Sequence, residues 1–287
     1  MKIDPIKMAG VIVLYKPDVK VVVKNVSSYI DWLELLFVWC NSPIREEEKI
    51  FFSQAFPQKM IRWMGDETNQ GMAHALNASS KMALELGSQF LLTMDQDSFF
   101  YSDDFLHAFK KLHHIDAAIW APWGYGEPEV QSVVSFEAKK VSLVITSGCL
   151  IHLEKWSVSG GFDEDFFIDE VDHDYCLRVK ELGWSVFRLF PVRLGHRLGV
   201  PIYYRFMGLK REIVLHSGVR LYYSTRNTLL LTKKYFLRFP FIVFARLWYM
   251  VAEWVKVLLF SSIRATELRY IRKGIVDFFR GHLGKAV

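Results

Sequence analysis

Over the first hundred positions, apolar residues fall into short unbroken runs separated by amphipathic stretches. AGVIVLY (Ala9–Tyr15) is stopped by Lys16-Pro17-Asp18, the pattern of a strand covered on both faces and followed by a breaker. LELLFVWCNSP (Leu33–Pro43) is a second such run, KMIRWMG a weaker third, and SQFLLTMD, ending at Asp95, the next. Between them, DVKVVVKNVSSYI carries a helical stripe. In NQGMAHALNASSKMALELG (Asn69–Gly87), Met72, Ala75, Leu76, Ala83 and Leu86 recur near helical spacing, with Gly87 just past the end. Strands alternating with helices predict an α/β fold with a mainly parallel, Rossmann-like sheet, whose ligand lies at the carboxyl ends of the strands. Asp95 and Asp97 stand at that edge.

Side chains at i and i+2 of an extended segment point the same way, so these two carboxylates repel unless a cation or water screens them. Mg2+ or Mn2+ prefers oxygen ligands and takes one or two carboxylates together with substrate phosphates. A solvated turn is the plainer alternative. A second acidic cluster, GGFDEDFFIDEVDHDYCLR, places six Asp/Glu between Asp163 and Asp172, with Asp174 just beyond. Tyr175, Leu177, Val179 and Leu182 predict a helix starting near Asp169–Asp172, where acids suit the helix dipole. The dipole does not account for Phe166, Phe167 and Ile168 directly before them. An apolar clamp there would pin the segment and leave a partly desolvated carboxylate able to act as a general base.

Six stretches, in order from residue 9 to about 230, resemble the bacterial rhamnosyltransferase-like branch of the family 2 glycosyltransferases: VIVLYKPD, NQGMAHALN, LLTMDQDS, TSGCLI with GGFDEDFFIDEVDHDYCLR, GHRLG and YYSTRN. The resemblance implies a GT-A fold and transfer of a sugar, with inversion, from a nucleoside diphosphate donor, dTDP-L-rhamnose by analogy, to a glycan or lipid-linked acceptor. By position it assigns Asp95 and Asp97 to the cation, with His196 completing the site. It assigns Asp172 to the base, with Asp169 and Asp174 as rivals. Donor contacts are carried over to Tyr15, Pro17, Asn41, Asn69, Gly71, Asn77, Gln96, Ser147, Gly148 and Arg226, and acceptor-side positions to Gly161, Phe162 and Tyr223. One departure stands out: Cys40 occupies the place of an aspartate that reads the nucleobase, and a thiol is a poor acceptor for a base N–H. A non-catalytic nucleotide-sugar binder therefore stays open. A nucleotidyltransferase is disfavoured, because YKPDVKV lacks the glycines of a phosphate loop.

Composition changes the picture mainly at the far end. The 287 residues are 51% hydrophobic, ample for a core. The net charge is +5, yet residues 231–287 alone hold 11 Lys/Arg against 3 Asp/Glu. YFLRFPFIVFARLWYMVAEWVKVLLFSSI (Tyr235–Ile263) is very apolar, but its longest charge-free runs are seven residues, far short of the roughly 20 that cross a bilayer. Arg246, Glu253 and Lys256 share one helical face, and aromatic residues and basic flanks surround them. This describes a helix lying in a membrane surface and drawn to anionic lipid; packing on the catalytic domain or on a second copy in a homo-oligomer is the alternative. Interleaving with apolar residues argues against nucleic acid. Three cysteines, without metal-site spacing, suit a reducing compartment. The start of the chain reads as a strand and not as a signal peptide. The expectation is a cytoplasmic, membrane-peripheral enzyme: a catalytic domain over 1–232, with a nucleotide-sugar half to about 100 and an acceptor half beyond, then a helical segment over 233–287.

Overall fold

A computed structural model describes residues 6–127, 135–196, 201–206 and 209–286. The chain divides into two compact units: Met1–Asp163 with Asp172–Arg197, and Glu164–Val171 with Leu198–Val287.

The first unit opens with β1 (Met8–Leu14), α1 (Val19–Val26), β2 (Leu35–Cys40), α2 (Glu46–Ala55), β3 (Met60–Met64), α3 (Met72–Glu85) and β4 (Phe90–Asp95). Every residue of β1 and β2 is buried, as their unbroken apolar runs require. Asp18 caps α1 by accepting from the amides of Lys20 (3.1 Å) and Val21 (3.4 Å). The helix beginning at Asn69 in the sequence pattern starts three residues later: the Asn69 side chain accepts from the Gly71 amide at 3.1 Å, and Gly71 has φ 87°, outside the helical region.

Then follow β5 (Phe99–Phe100), α4 (Asp104–Leu112), β6 (Ile119–Tyr125), β7 (Glu137–Val141), β8 (Cys149–His152), α5 (Leu153–Val158), α6 (Val171–Glu181) and β9 (Val186–Gly195). The sheet order is β3-β2-β1-β4-β8-β6-β9-β5, with β7 alongside β9. The strands β3, β2, β1 and β4 are parallel, as expected; β8 enters antiparallel to both β4 and β6. Register sets Leu14 level with Cys40 and Val13 level with Asp95, so the loops after β1, β2 and β4 leave the sheet at one rim.

The second unit contains an antiparallel hairpin, β10 (Pro201–Phe206) and β11 (Leu209–Val214), followed by α7 (Gly218–Tyr235), α8 (Pro240–Phe260) and α9 (Arg264–Arg280). It includes α7, which the sequence pattern had assigned to the catalytic domain. The reason is the close approach of α9: a Cβ on Gly274 would lie 2.7 Å from the Tyr222 carbonyl oxygen. No described helix is long and apolar enough to cross a membrane.

Gly274→Ala separates two effects. Alanine favours a helix over glycine by roughly 0.5–1 kcal/mol, but here its methyl group meets backbone. We expect a net loss of about 1–3 kcal/mol from overpacking, read as a lower melting temperature by circular dichroism. An unchanged or raised melting temperature would mean that the two helices do not approach this closely.

Candidate active site

The rim is tied together by side chains. The Gln96 amide clasps the Tyr15 backbone, accepting from its N–H at 2.9 Å and donating to its carbonyl at 3.2 Å, and Lys16 N–H donates to Ser42 Oγ at 2.7 Å. Buried Asn41 accepts from Trp39 Nε1 (3.0 Å) and the Gln70 amide (3.1 Å) and donates to the Gly71 carbonyl (3.2 Å). Asn77 brackets Phe162, accepting from its amide at 2.7 Å and donating to its carbonyl at 2.8 Å. Gly161 allows this: it has φ 74°, and a Cβ there would be 2.7 Å from Asn77 Oδ1. Asn41, Asn77, Gln96 and Asn69 thus shape the loops, and so does the Gly161-Phe162 turn. The half-exposed Tyr15 ring is left facing solvent at the rim, with Pro17 just before the α1 cap.

At the end of β4 the expectation of an extended Asp-x-Asp changes form. Asp95 ends the strand, and Ser98 N–H donates to the Asp95 carbonyl at 3.1 Å, so Asp97 sits in a turn. The turn nonetheless brings the two acids together: ligand atoms of Asp95, Asp97 and His196 all lie within 4.8 Å of one another. His196 arrives from the end of β9, where Gly195 pairs with Phe99. A Cβ on Gly195 would come 2.4 Å from that ring, so the crossing needs a glycine. A hydroxyl relay supports the imidazole. The Asp95 amide donates to Ser147 Oγ (3.2 Å), which donates to Ser98 Oγ (2.8 Å), 2.7 Å from His196 Nδ1. Gly148, with φ 79°, follows Ser147 and donates its amide to the Thr93 carbonyl at 2.8 Å. His196 Nδ1 also lies 3.4 Å from Asp97 Oδ1, so Ser98 and the carboxylate together fix the ring's orientation. Two carboxylates and one imidazole suit Mn2+ or Mg2+, and imidazole favours the softer Mn2+. Ser98 was missed in the sequence; its signal was the serine directly behind Asp-Gln-Asp.

Asp172, in the first turn of α6, is 19% accessible at its side chain, and its Oδ1 accepts from the His173 amide at 2.9 Å. Its charge reaches the same buried groups as that of Asp95. The Tyr125 phenol and Cys149 thiol are pushed up chiefly by burial, and each also feels the negative charges of Asp172 and Asp95. Its rivals have other work. Asp174 is wholly buried and paired to Arg178, whose Nη1 donates to the Gly161 carbonyl at 2.5 Å. Asp169 lies in the second unit, 3.3 Å from Arg220.

Arg226, expected to reach a diphosphate, is fully buried. Its guanidinium donates to the carbonyls of Asp165 (3.1 Å), Phe166 (3.3 Å) and Gly284 (2.7 Å) and to Asn227 Oδ1 (3.0 Å). Asn227 Nδ2 donates to the carbonyls of Phe166 (2.7 Å), Ile168 (2.6 Å) and Asp169 (2.9 Å). Tyr223, assigned to the acceptor side, is buried and stacked on Phe167 at 5.2 Å. These residues of the YYSTRN motif grip residues 165–169, a strap in which Phe167, Asp169 and Glu170 all have φ near +60°. Non-glycine residues persist there only when their surroundings hold them. Cys40 is buried at the end of β2. Burial pushes its thiol up to about 11, while the charges of Lys49 and Glu67, an ion pair at 2.7 Å, act in opposite directions. At neutral pH the site of the missing aspartate carries no charge. Of the GHRLG motif, only Gly195 and His196 fall within the described residues.

No family model matches the chain. Over 232 residues it is 26% identical to the dTDP-rhamnosyl transferase RfbF of Shigella flexneri, spanning 75% of this chain and 73% of that one. Its fold is similar to that of the mannosyltransferase PcManGT from Pyrobaculum calidifontis, solved with GDP-Man and Mn2+ (TM-score 0.60, 12% identity, 95% of this chain and 87% of that one). It is also similar to GalNAc-T7 solved with UDP, GalNAc and Mn2+ (TM-score 0.54, 14% identity, 70% and 44%). The relative bears out the resemblance drawn from the motifs and the expectation of a glycosyltransferase; the solved structures bear out the GT-A fold.

Replacing one cluster donor is the direct test of the cation site. Asp97→Asn is expected to weaken Mn2+ binding, measured by isothermal titration with a nucleoside diphosphate present, by 10-fold or more. Unchanged Mn2+ affinity in both Asp97→Asn and His196→Ala would exclude the cluster as the cation site.

Proposed function

We propose that this chain transfers L-rhamnose from dTDP-rhamnose, with inversion at the anomeric carbon, to a hydroxyl of a glycan or lipid-linked acceptor. The step would belong to surface polysaccharide assembly at the cytoplasmic face of a membrane. Two features support the chemistry: a cluster able to hold a cation, Asp95, Asp97 and His196, and a separate carboxylate, Asp172, whose charge acts on the same buried Tyr125 and Cys149 side chains as that of Asp95. The donor is inferred from the sequence relative.

A bound divalent cation would supply Lewis-acid stabilisation to the charge growing on the departing diphosphate. Asp95 and Asp97 would hold it from the β4 end, and His196 from the β9 end. Inversion in one displacement needs the acceptor to attack from the face opposite the leaving group. Asp172 takes the acceptor proton as the oxygen–carbon bond forms. The His173 amide at Oδ1 fixes the plane of that carboxylate and leaves Oδ2 as the proton acceptor. Tyr125 and Cys149, held un-ionised by burial, add no negative charge beside these carboxylates. Cys40 favours a second reading, a non-catalytic nucleotide-sugar binder, because it offers the base no carboxylate. Metal-dependent release of dTDP from dTDP-rhamnose by the pure protein excludes that reading.

Asp172→Asn should lower turnover by roughly 10²–10⁴-fold while the donor still raises the melting temperature as in the parent. Near-parent turnover in Asp172→Asn, with loss in Asp169→Asn, would move the base to Asp169.

A further inference from the structure

In α8 the polar and apolar sides are reversed from those of a helix on a water-facing surface. Arg246, Glu253 and Lys256 do share a face, as the sequence predicts, but that face points into the second unit. Arg246 meets the buried Glu170 carboxylate at 2.5 Å, and Glu253, 2% exposed, is met by Lys256 at 2.6 Å. Val243, Met250 and Val257 are buried on the same side. On the opposite side Phe241, Phe244, Trp248, Val251, Val255 and Leu258 follow one another at steps of three and four, a continuous stripe at helical period. All six are exposed, Phe241 at 88% and Trp248 at 76%. Just before the helix, Leu237 is 91% exposed.

Among residues 231–286 the exposed charge is of one sign. All three acids of residues 231–287, Glu253, Glu267 and Asp277, are buried, at 2%, 5% and 8% exposure. Lys233, Arg238, Arg264, Arg269, Arg272 and Arg280 are exposed. The surface of these helices therefore offers water only apolar and cationic side chains among its strongly hydrophobic and charged residues.

We propose that the outer face of α8 beds into an anionic lipid surface, with the stripe in the acyl boundary and the surrounding Lys/Arg on acidic headgroups. A second copy of the chain is the poorer occupant, because it would set two surfaces of the same positive charge against each other. The assignment rests on the membrane-peripheral part of the function proposed above and not on its chemistry, and it turns the helix over: ion pairs hold it to the protein, and its apolar side is the one that leaves.

The test is flotation of the full chain with vesicles of phosphatidylglycerol and phosphatidylethanolamine, and with neutral phosphatidylcholine vesicles. Donor hydrolysis without vesicles and the melting curve are measured in parallel. The parent should float with the anionic vesicles and lose binding as salt rises. The double variant Phe241→Ser/Trp248→Ser should bind at least 10-fold more weakly, with hydrolysis and melting unchanged. Failure of the parent to float, or equal flotation of the variant, overturns the assignment. So does a parent dimer in ultracentrifugation that the variant abolishes while neither protein floats. Absent donor hydrolysis in the parent would count against the chemistry alone and leave the flotation result to decide this face.

Discussion

Two carboxylates and an imidazole are held within 4.8 Å of one another, and the first unit is arranged around that convergence. Like charges at such range repel by an amount that grows as water is excluded, so side-chain preference alone would scatter them. The backbone imposes the geometry. Asp95 is fixed by strand pairing, Asp97 by a turn closed on the Asp95 carbonyl, and His196 by the pairing of Gly195 with Phe99. Ser147 and Ser98 join the two strand ends through hydroxyls, which can donate and accept at once.

The acidic stretch between Asp163 and Asp174 looks like one feature in the sequence and serves three purposes in the structure. Asp172 stands partly exposed in the first turn of α6. Asp174 is a buried counter-ion that steadies the Gly161 turn through Arg178. Asp169 and Glu170 belong to the second unit, paired with Arg220 and Arg246. Local patterning cannot divide them, since all three situations favour an acid near a helix start. Partners many positions away decide each case.

That distinction explains what was legible beforehand. The strands β1, β2 and β4 were plain because burial on both faces admits only apolar residues, and Gly87 and Pro17 marked their boundaries. The cation cluster was half visible as Asp95 and Asp97, although the pattern implied a strand where a turn is found. Arg226 misled because a guanidinium suits phosphate and main-chain carbonyls equally well. Only its complete burial shows which it meets. In α8 the period was readable but its direction was not: a row of charges at helical spacing says which residues share a side, not whether that side faces water. Asn41, Asn77 and Gln96 carry polar amides able to bind a ligand, and instead hold the loops that would frame one.

The strap has a consequence for how the chain is made. Its carbonyls are held by Asn227, which lies 61 positions downstream of Phe166. As the polypeptide leaves the ribosome, Phe167, Asp169 and Glu170 therefore emerge well before the groups that hold them in left-handed conformations exist. Until α7 has formed, these residues are free to relax into ordinary backbone shapes, and the helix that begins at Val171 has an unsettled leader. The C-terminal helices thus finish a segment laid down much earlier, so shortening the protein from that end would undo order far upstream of the cut.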